Sequence, residues 1–277
     1  MMKYKSELRN MKKEEVVKKC IEHGISVFRE NVKKYRLVKE LKEELSNVLG
    51  LIPRVKTEDT GHIFEMAICL TLKIEYIGKF KYSMNKAEEL SSRMGKLLEH
   101  INEPLVHTAS GQGKYDYTGE TMKLSAKSNK NGYKVAPQSI GQPTKNKFCN
   151  AFGFSNEIDN QQLKSQIIQN IKNMLGLYIE NTFDCPILYY NEKDATITLI
   201  KYVNNTPIVW NNQKIHFTQS DISWEEGNTV KVEAESGSKK SIGEFQFHNH
   251  RNCIKFRWDI KNLIDFFPNS FIVHKIH

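Results

Sequence analysis

The spacing of apolar residues changes partway along the chain. Through the first hundred positions they recur every three or four residues. After residue 108 they mostly recur every second residue, in short runs between polar turns, apart from a helical stretch over 161–181. The first spacing is that of an amphipathic helix and the second that of a half-buried strand. The chain is therefore restricted to a mixed α/β or α+β architecture. Val16, Val17, Ile21, Val27, Phe28, Val32, Leu37, Leu41 and Leu45 mark helical sequence over residues 5–48, with a break near Gly24 and an end at Gly50 and Pro53. A second helix is expected over 62–76, capped by Asp59 or Thr60, and a third over 85–102. Helix returns over 161–181, strand pairs follow within 186–202, 208–219 and 229–258, and a short helix follows Asp259. No repeat or linker divides the chain. It reads as one domain, mainly helical over 1–104, with a sheet and C-terminal β-hairpins over 105–277.

Charge narrows the partners. Forty-one Lys and Arg stand against 32 Asp and Glu, a formal charge of +9 over 277 residues. Such a chain most often meets an anion, and nucleic acid is the commonest. At 39% hydrophobic the composition is globular, and no run approaches the eighteen apolar residues of a membrane span. MMKYKSELRNMKKEE has no apolar stretch behind its charged start, which argues against a secretory signal. The five cysteines, at 20, 69, 149, 185 and 253, are dispersed with no C-x-x-C. They read as free thiols in a reducing cytoplasm rather than as disulfides or a zinc site.

The most informative stretch is Lys114 to Asn131. Met122, Leu124 and Ala126 alternate with Lys123, Ser125 and Lys127, a strand with one buried face. Lys114-Tyr115-Asp116-Tyr117 reads as the incoming strand and Thr118-Gly119-Glu120 as the turn. A two-residue loop at Gly119-Glu120 sets Asp116 opposite Lys123, on one surface with Ser125 and Lys127. A carboxylate there can hold a divalent metal, and a lysine can orient water and neutralise developing charge at a phosphodiester. The spacing is a difficulty, because Lys127 then lies about 13 Å further along, at roughly 3.3 Å per residue. A bulge or irregular connection is needed to bring it close.

Asp116, eight residues, Ser125, one residue and Lys127 resemble the PD-(D/E)XK nuclease motif at the short end of its spacing. Tyr115 precedes Asp116 where proline is typical, and Ser125 stands where the second acid is usual. Both departures are similar to those among type II restriction endonucleases. The resemblance implies a central mixed sheet flanked by helices, with Asp116 binding metal and Lys127 positioning the water. It also implies Mg²⁺, with Mn²⁺ as a substitute, duplex DNA as substrate, a homodimer and a cognate DNA methyltransferase. The second metal ligand is either Glu120 in the turn or Glu65 from a preceding helix. Glu65 is the one acid in IFEMAICLTL, where burying a carboxylate is costly unless it is paired or binds metal.

Two other segments suit DNA. SNKNGYKVAPQSIGQPTKNKF has no acid and carries Lys130, Lys134, Lys145 and Lys147 with Gln138 and Gln142. Lysines neutralise phosphates, and amides bond base edges. In GEFQFHNHRNCIKFRW, alternation puts Glu244, Gln246 and His248 opposite Phe245 and Phe247, and a ribbon tipped by His250 and Arg251 could enter a groove. No Walker A motif, dinucleotide fingerprint or G-x-S-x-G elbow is present. The rival expectations are a DNA-binding protein without catalysis, and a structure-specific or RNA-directed nuclease on the same core.

Overall fold

The computed structural model describes residues 8, 10–28, 36–49, 57–108, 114–247 and 252–277, and the chain divides into two compact units, Met1–Lys56 and Thr57–His277. In the first unit, helix α1 (Lys13–Glu22) stops as expected near Gly24, whose φ of 69° is a left-handed conformation that favours glycine. The Cys20 carbonyl accepts the Ile25 N–H at 2.8 Å and closes the helix end. Val16 and Cys20 bury against Leu41 and Leu45 of α2 (Val38–Val48), in a small core with Leu8, Ile25 and Val27. Ile21, Phe28 and Leu37 lie exposed, because two separate helices divide what the sequence presents as one stripe. Val32, Gly50 and Pro53 lie outside the described residues.

The second unit opens with α3 (Thr57–Leu72), which starts earlier and ends earlier than its apolar spacing suggests. Asp59 and Thr60 therefore lie in its first turn rather than capping it. Lys73 takes a φ of 57°, and the Ile74 N–H turns back to the Cys69 carbonyl at 3.0 Å, ending the helix. Ile63, Phe64, Met66, Ala67, Ile68 and Cys69 are all buried, as suits a helix enclosed on most sides. The expected third helix is divided into α4 (Met84–Ser92), capped by Ser83, and a 3₁₀ turn over Gly95–His100.

Two sheets follow. The first is mixed, in the order β1 (Val106–His107), β2 (Tyr117–Thr118), β3 (Lys123–Asn129), β5 (Ile187–Asn191), β6 (Thr196–Tyr202) and β11 (Phe271–Lys275). Strands β3 and β5 are parallel, with Ser125 opposite Ile187. A parallel pair needs a crossover, and this one runs through β4 (Lys134–Val135), α5 (Lys145–Phe152) and α6 (Asn160–Thr182). The second sheet is antiparallel, in the order β4, β10 (Ile254–Asp259), β9 (Lys239–Phe247), β8 (Gly227–Glu233) and β7 (Ile215–Phe217). Helix α7 (Ile260–Phe266) follows, capped by the Asp259 carboxylate, which accepts the Asn262 N–H at 3.2 Å.

Helix α6 joins the sheets through its spacing. Leu163, Ile167, Ile171, Met174, Tyr178 and Ile179 fall on one face and share a core with Val230, Val232, Phe245, Phe256 and Trp258 of the second sheet. Tyr178 stacks on Phe256 at 4.1 Å, and the Trp258 indole N–H donates to Thr182 Oγ1 at 2.9 Å. Burying each such aromatic side chain stabilises the fold by about 1.5–3 kcal/mol. The architecture is α+β, with a mixed central sheet and several helices, in line with the expected class. Among the described residues no helix is long and apolar enough to cross a membrane.

Candidate active site

The loop between β2 and β3 decides the geometry. It holds four residues, 119–122, rather than two, because Tyr117 pairs with Leu124 and Thr118 with Lys123. Glu103 imposes this loop from upstream. Its carboxylate accepts the Met122 N–H at 2.5 Å, the Thr121 N–H at 3.0 Å and the Thr121 hydroxyl at 2.8 Å. These bonds, the Met122 N–H first, hold Glu103 below the usual carboxylate range. Gly119 leaves room for the arrangement, since a Cβ there would lie 2.2 Å from Glu103 Oε1 and 2.9 Å from Leu105 Cδ2.

The longer loop moves the pairing by two residues, so Asp116 comes abreast of Ser125 instead of Lys123. Its N–H donates to the Leu124 carbonyl at 3.2 Å, and its Oδ2 accepts the Ala126 N–H at 2.7 Å and the Ser125 hydroxyl at 2.8 Å. Lys127 Nζ stands 3.8 Å from the same oxygen. The register shift halves the separation of about 13 Å expected at roughly 3.3 Å per residue, the two side chains span the rest, and no bulge is needed. Ser125 corrects a second expectation. It lies on the strand face expected to be polar, yet it is fully buried, enclosed by Asp116 on one side and Gln138 on the other.

Glu65 reaches the same place from α3. The Tyr117 hydroxyl donates to the Glu65 carbonyl at 2.7 Å, fastening helix to strand. Burial raises the Glu65 carboxyl above its ordinary value, and the nearby Asp116 carboxylate raises it further, with His62 and Lys127 opposing. His62 Nδ1 lies 3.3 Å from both Glu65 Oε2 and the Tyr76 hydroxyl, and its ring stacks on Tyr82. His107, which the sequence did not single out, is buried between Tyr76 and Tyr117. Its Nδ1 accepts the Ile77 N–H at 2.9 Å, and burial depresses its pKa, so the neutral ring carries its proton on Nε2. That Nε2 is buried with no hydrogen-bond partner among the described residues. The sequence offers His62 as a partner of Glu65, three residues on along the helix, whereas His107 carries no signal beyond its residue type.

The other expected site residues are distributed differently. Glu120 is exposed in the loop and joins neither carboxylate. Lys134 lies 3.5 Å from Glu244 and 3.8 Å from Asp259, so its charge is already answered. Lys145 donates to the Ile158 carbonyl, and Gln246 donates to Glu244 at 3.0 Å. From the turn after β4, the Gln138 side chain reaches into the Asp116 cluster. Gln142 is exposed with its amide 3.8 Å from Cys253 Sγ, and Lys130 is half-buried just beyond β3. His248, His250 and Arg251 lie outside the described residues. A count of charges along a sequence cannot register which of them the fold pairs off.

Glu65 and Asp116 thus face one half-buried place, where burial and then the Asp116 charge raise the Glu65 carboxyl. A divalent cation relieves that repulsion, and its preferred ligands are oxygens. The donor set fits a hard cation, although among the described residues no group of three or more His, Cys, Asp or Glu side chains is gathered to hold one. The described cysteines are free thiols, as expected from their dispersal.

No family model matches the chain, and no solved structure matches it. The chain is similar to the Type II restriction enzyme CviAII of Paramecium bursaria Chlorella virus 1. The two are 40% identical over 219 residues, which cover 78% of this chain and 62% of the relative's length.

Proposed function

We propose that the protein is a type II restriction endonuclease that hydrolyses phosphodiester bonds in duplex DNA at a specific sequence, on a PD-(D/E)XK-like core. The observation that carries this reading is the convergence of Asp116 and Lys127 across a register that brings Lys127 Nζ to 3.8 Å from Asp116 Oδ2. The 40% identity to a restriction enzyme, over most of this chain, supports it independently.

Asp116 and Glu65 are the residues that would hold Mg²⁺, with Mn²⁺ as a substitute. A divalent cation held there supplies positive charge at the phosphate and eases deprotonation of water. Lys127 brings a second positive charge to the attacked phosphate and orients the attacking water by hydrogen bonding. Ser125 contributes as a donor that fixes Asp116 Oδ2, not as a ligand, because it is enclosed. Cleavage of both strands of a symmetric site calls for a homodimer, whose two-fold axis coincides with that of the DNA. Such an enzyme works beside a DNA methyltransferase that protects the host sequence, in a reducing cytoplasm that suits five free thiols.

The test is a gel assay on unmodified plasmid and phage DNA with Mg²⁺, with EDTA, and with the Lys127→Ala variant. Discrete fragments are expected with Mg²⁺ alone, and Lys127→Ala is expected to lower the rate by about 10²–10⁴-fold while binding persists. DNA that shifts on a native gel yet stays intact under all conditions would sink the nuclease reading in favour of a binding protein.

A further inference from the structure

Gln138 reaches the cluster from a rigid base. It lies in the turn between β4 and α5, where Gly141 folds back so closely that a Cβ would lie 2.3 Å from the Pro137 carbonyl oxygen. The turn is fastened to the second sheet by the Phe256 N–H on the Gly141 carbonyl at 2.8 Å and the Ile254 N–H on the Pro143 carbonyl at 3.1 Å. It is fastened to α6 by the Ser139 N–H on Asn181 Oδ1 at 3.1 Å. From there the side chain crosses to the first sheet. Its Oε1 accepts from Lys127 Nζ at 3.3 Å and lies 3.2 Å from Ser125 Oγ, while its Nε2 lies 4.0 Å from Cys185 Sγ. An ammonium has three donors and no acceptor, so the amide must present its oxygen to Lys127 and not its nitrogen.

We infer that Gln138 is the positioning residue of this site: its amide oxygen holds the Lys127 ammonium and the Ser125 hydroxyl where a second acid would otherwise stand. This rests on the proposed reading of Asp116 and Lys127 as the reaction centre. Lysine is a point charge on a flexible stem, and one acceptor 3.8 Å away at Asp116 leaves its direction loose. A second acceptor on a different element fixes it. Ser125 cannot supply that orientation alone, because its single proton is shared between Asp116 and Gln138. The link also ties the placement of Lys127 to the second sheet.

The full-length chain and its Gln138→Ala, Gln138→Met and Gln138→Glu variants would be compared in two assays. One is cleavage of DNA with Mg²⁺, with DNA affinity measured separately in EDTA. The other is acetylation of Lys127 by an amine-reactive reagent without DNA, mapped by mass spectrometry. Gln138→Ala is expected to lower kcat by about 10–100-fold with KM and DNA affinity unchanged, and to raise Lys127 acetylation several-fold. Gln138→Glu keeps an acceptor oxygen and is expected to return both towards wild type. Gln138→Met keeps the length without the acceptor, is expected to show the same fall in kcat and rise in acetylation, and carries the test if the Ala variant does not fold. Wild-type kcat and acetylation in the Ala and Met variants would overturn the inference, as would a slow Ala variant with unchanged acetylation and no rescue by Glu. If the wild-type chain cleaves no DNA, the nuclease reading fails. The acetylation pattern then decides the Gln138–Lys127 link: a rise reversed by Glu upholds it, and no change overturns it.

Discussion

Glu65 and Glu244 are both half-buried carboxylates in the same compact unit, and their surroundings drive them in opposite directions. Glu65 faces Asp116, and burial followed by that neighbour raises its pKa. Glu244 is also penalised by burial, but Arg257 and Lys134 more than offset it and hold the carboxyl below its ordinary value. The same contrast extends beyond these two residues. In the second sheet Glu233 is partnered by Lys214, His216 and Lys239. Around β3, by contrast, the fold gathers two acids with a lysine that serves as partner to both an acid and an amide. The second sheet neutralises its charges internally, whereas the proposed centre around β3 holds two acids near one lysine.

The contrast can be broken by experiment. The largest effect is expected from Asp116→Asn, which removes the shared charge at the centre. Cleavage should fall by about 10²–10⁴-fold with far-UV circular dichroism unchanged. Wild-type cleavage in that variant would deprive the cluster around β3 of any catalytic meaning. Glu244→Gln should act on stability instead, because it leaves Arg257 and Lys134 short of a partner. Glu244 is 19% exposed at its side chain, so the cost should fall below that of a fully buried pair, at about 1–3 kcal/mol by urea unfolding. Cleavage per folded molecule should stay within about twofold, as for residues away from the reacting atoms. A loss of cleavage without a loss of stability would place Glu244 with the reaction centre.

The smallest effect is expected in the pH dependence of Glu65. Its folded-state pKa lies above the unfolded value of 4.5. The folded chain therefore binds this proton more tightly, a contribution fully present below the unfolded value and lost as pH rises through the folded one. The stability difference between wild type and Glu65→Gln should move against wild type across that window in EDTA. Saturating Mg²⁺ should recover part of it by binding the folded state. Thermal unfolding from about pH 4 to pH 8 measures both curves, in the range where buried carboxyls titrate. Parallel curves with and without the cation would sharpen the contrast differently, by making Glu65 a buried acid paired with His62 alone.

Much of the fold was legible because its causes are local. The four-residue steps from Leu163 to Ile171 placed α6, the alternation of Glu244 to Phe247 placed β9, and Asp259 marked the start of α7. Gly24 marked the end of α1 for the same reason. The candidate centre was half legible. Asp116, Ser125 and Lys127 stand within one hairpin, and Glu65 stood out as an acid among apolar neighbours. Gln138 and His107 were assigned elsewhere or passed over, because nothing near them in sequence distinguishes a site residue from a loop amide or a core histidine.

By itself the sequence determined which segments could be helix or strand, which faces were apolar, and that a carboxylate and a lysine shared a hairpin. The first two depend on residues two to four positions apart, where backbone propensity and side-chain periodicity operate, and the third on a short hairpin signal. The tertiary structure decided the register of that hairpin through Glu103, and the burial of Ser125. It also decided the pairing of Lys134 with Glu244 and the reach of Gln138 across from a second sheet. Each of these rests on contacts between residues nine or more positions apart. Its existence depends on what the folded chain brings alongside, because a charge or hydrogen-bonding group takes its role from its nearest partner in space.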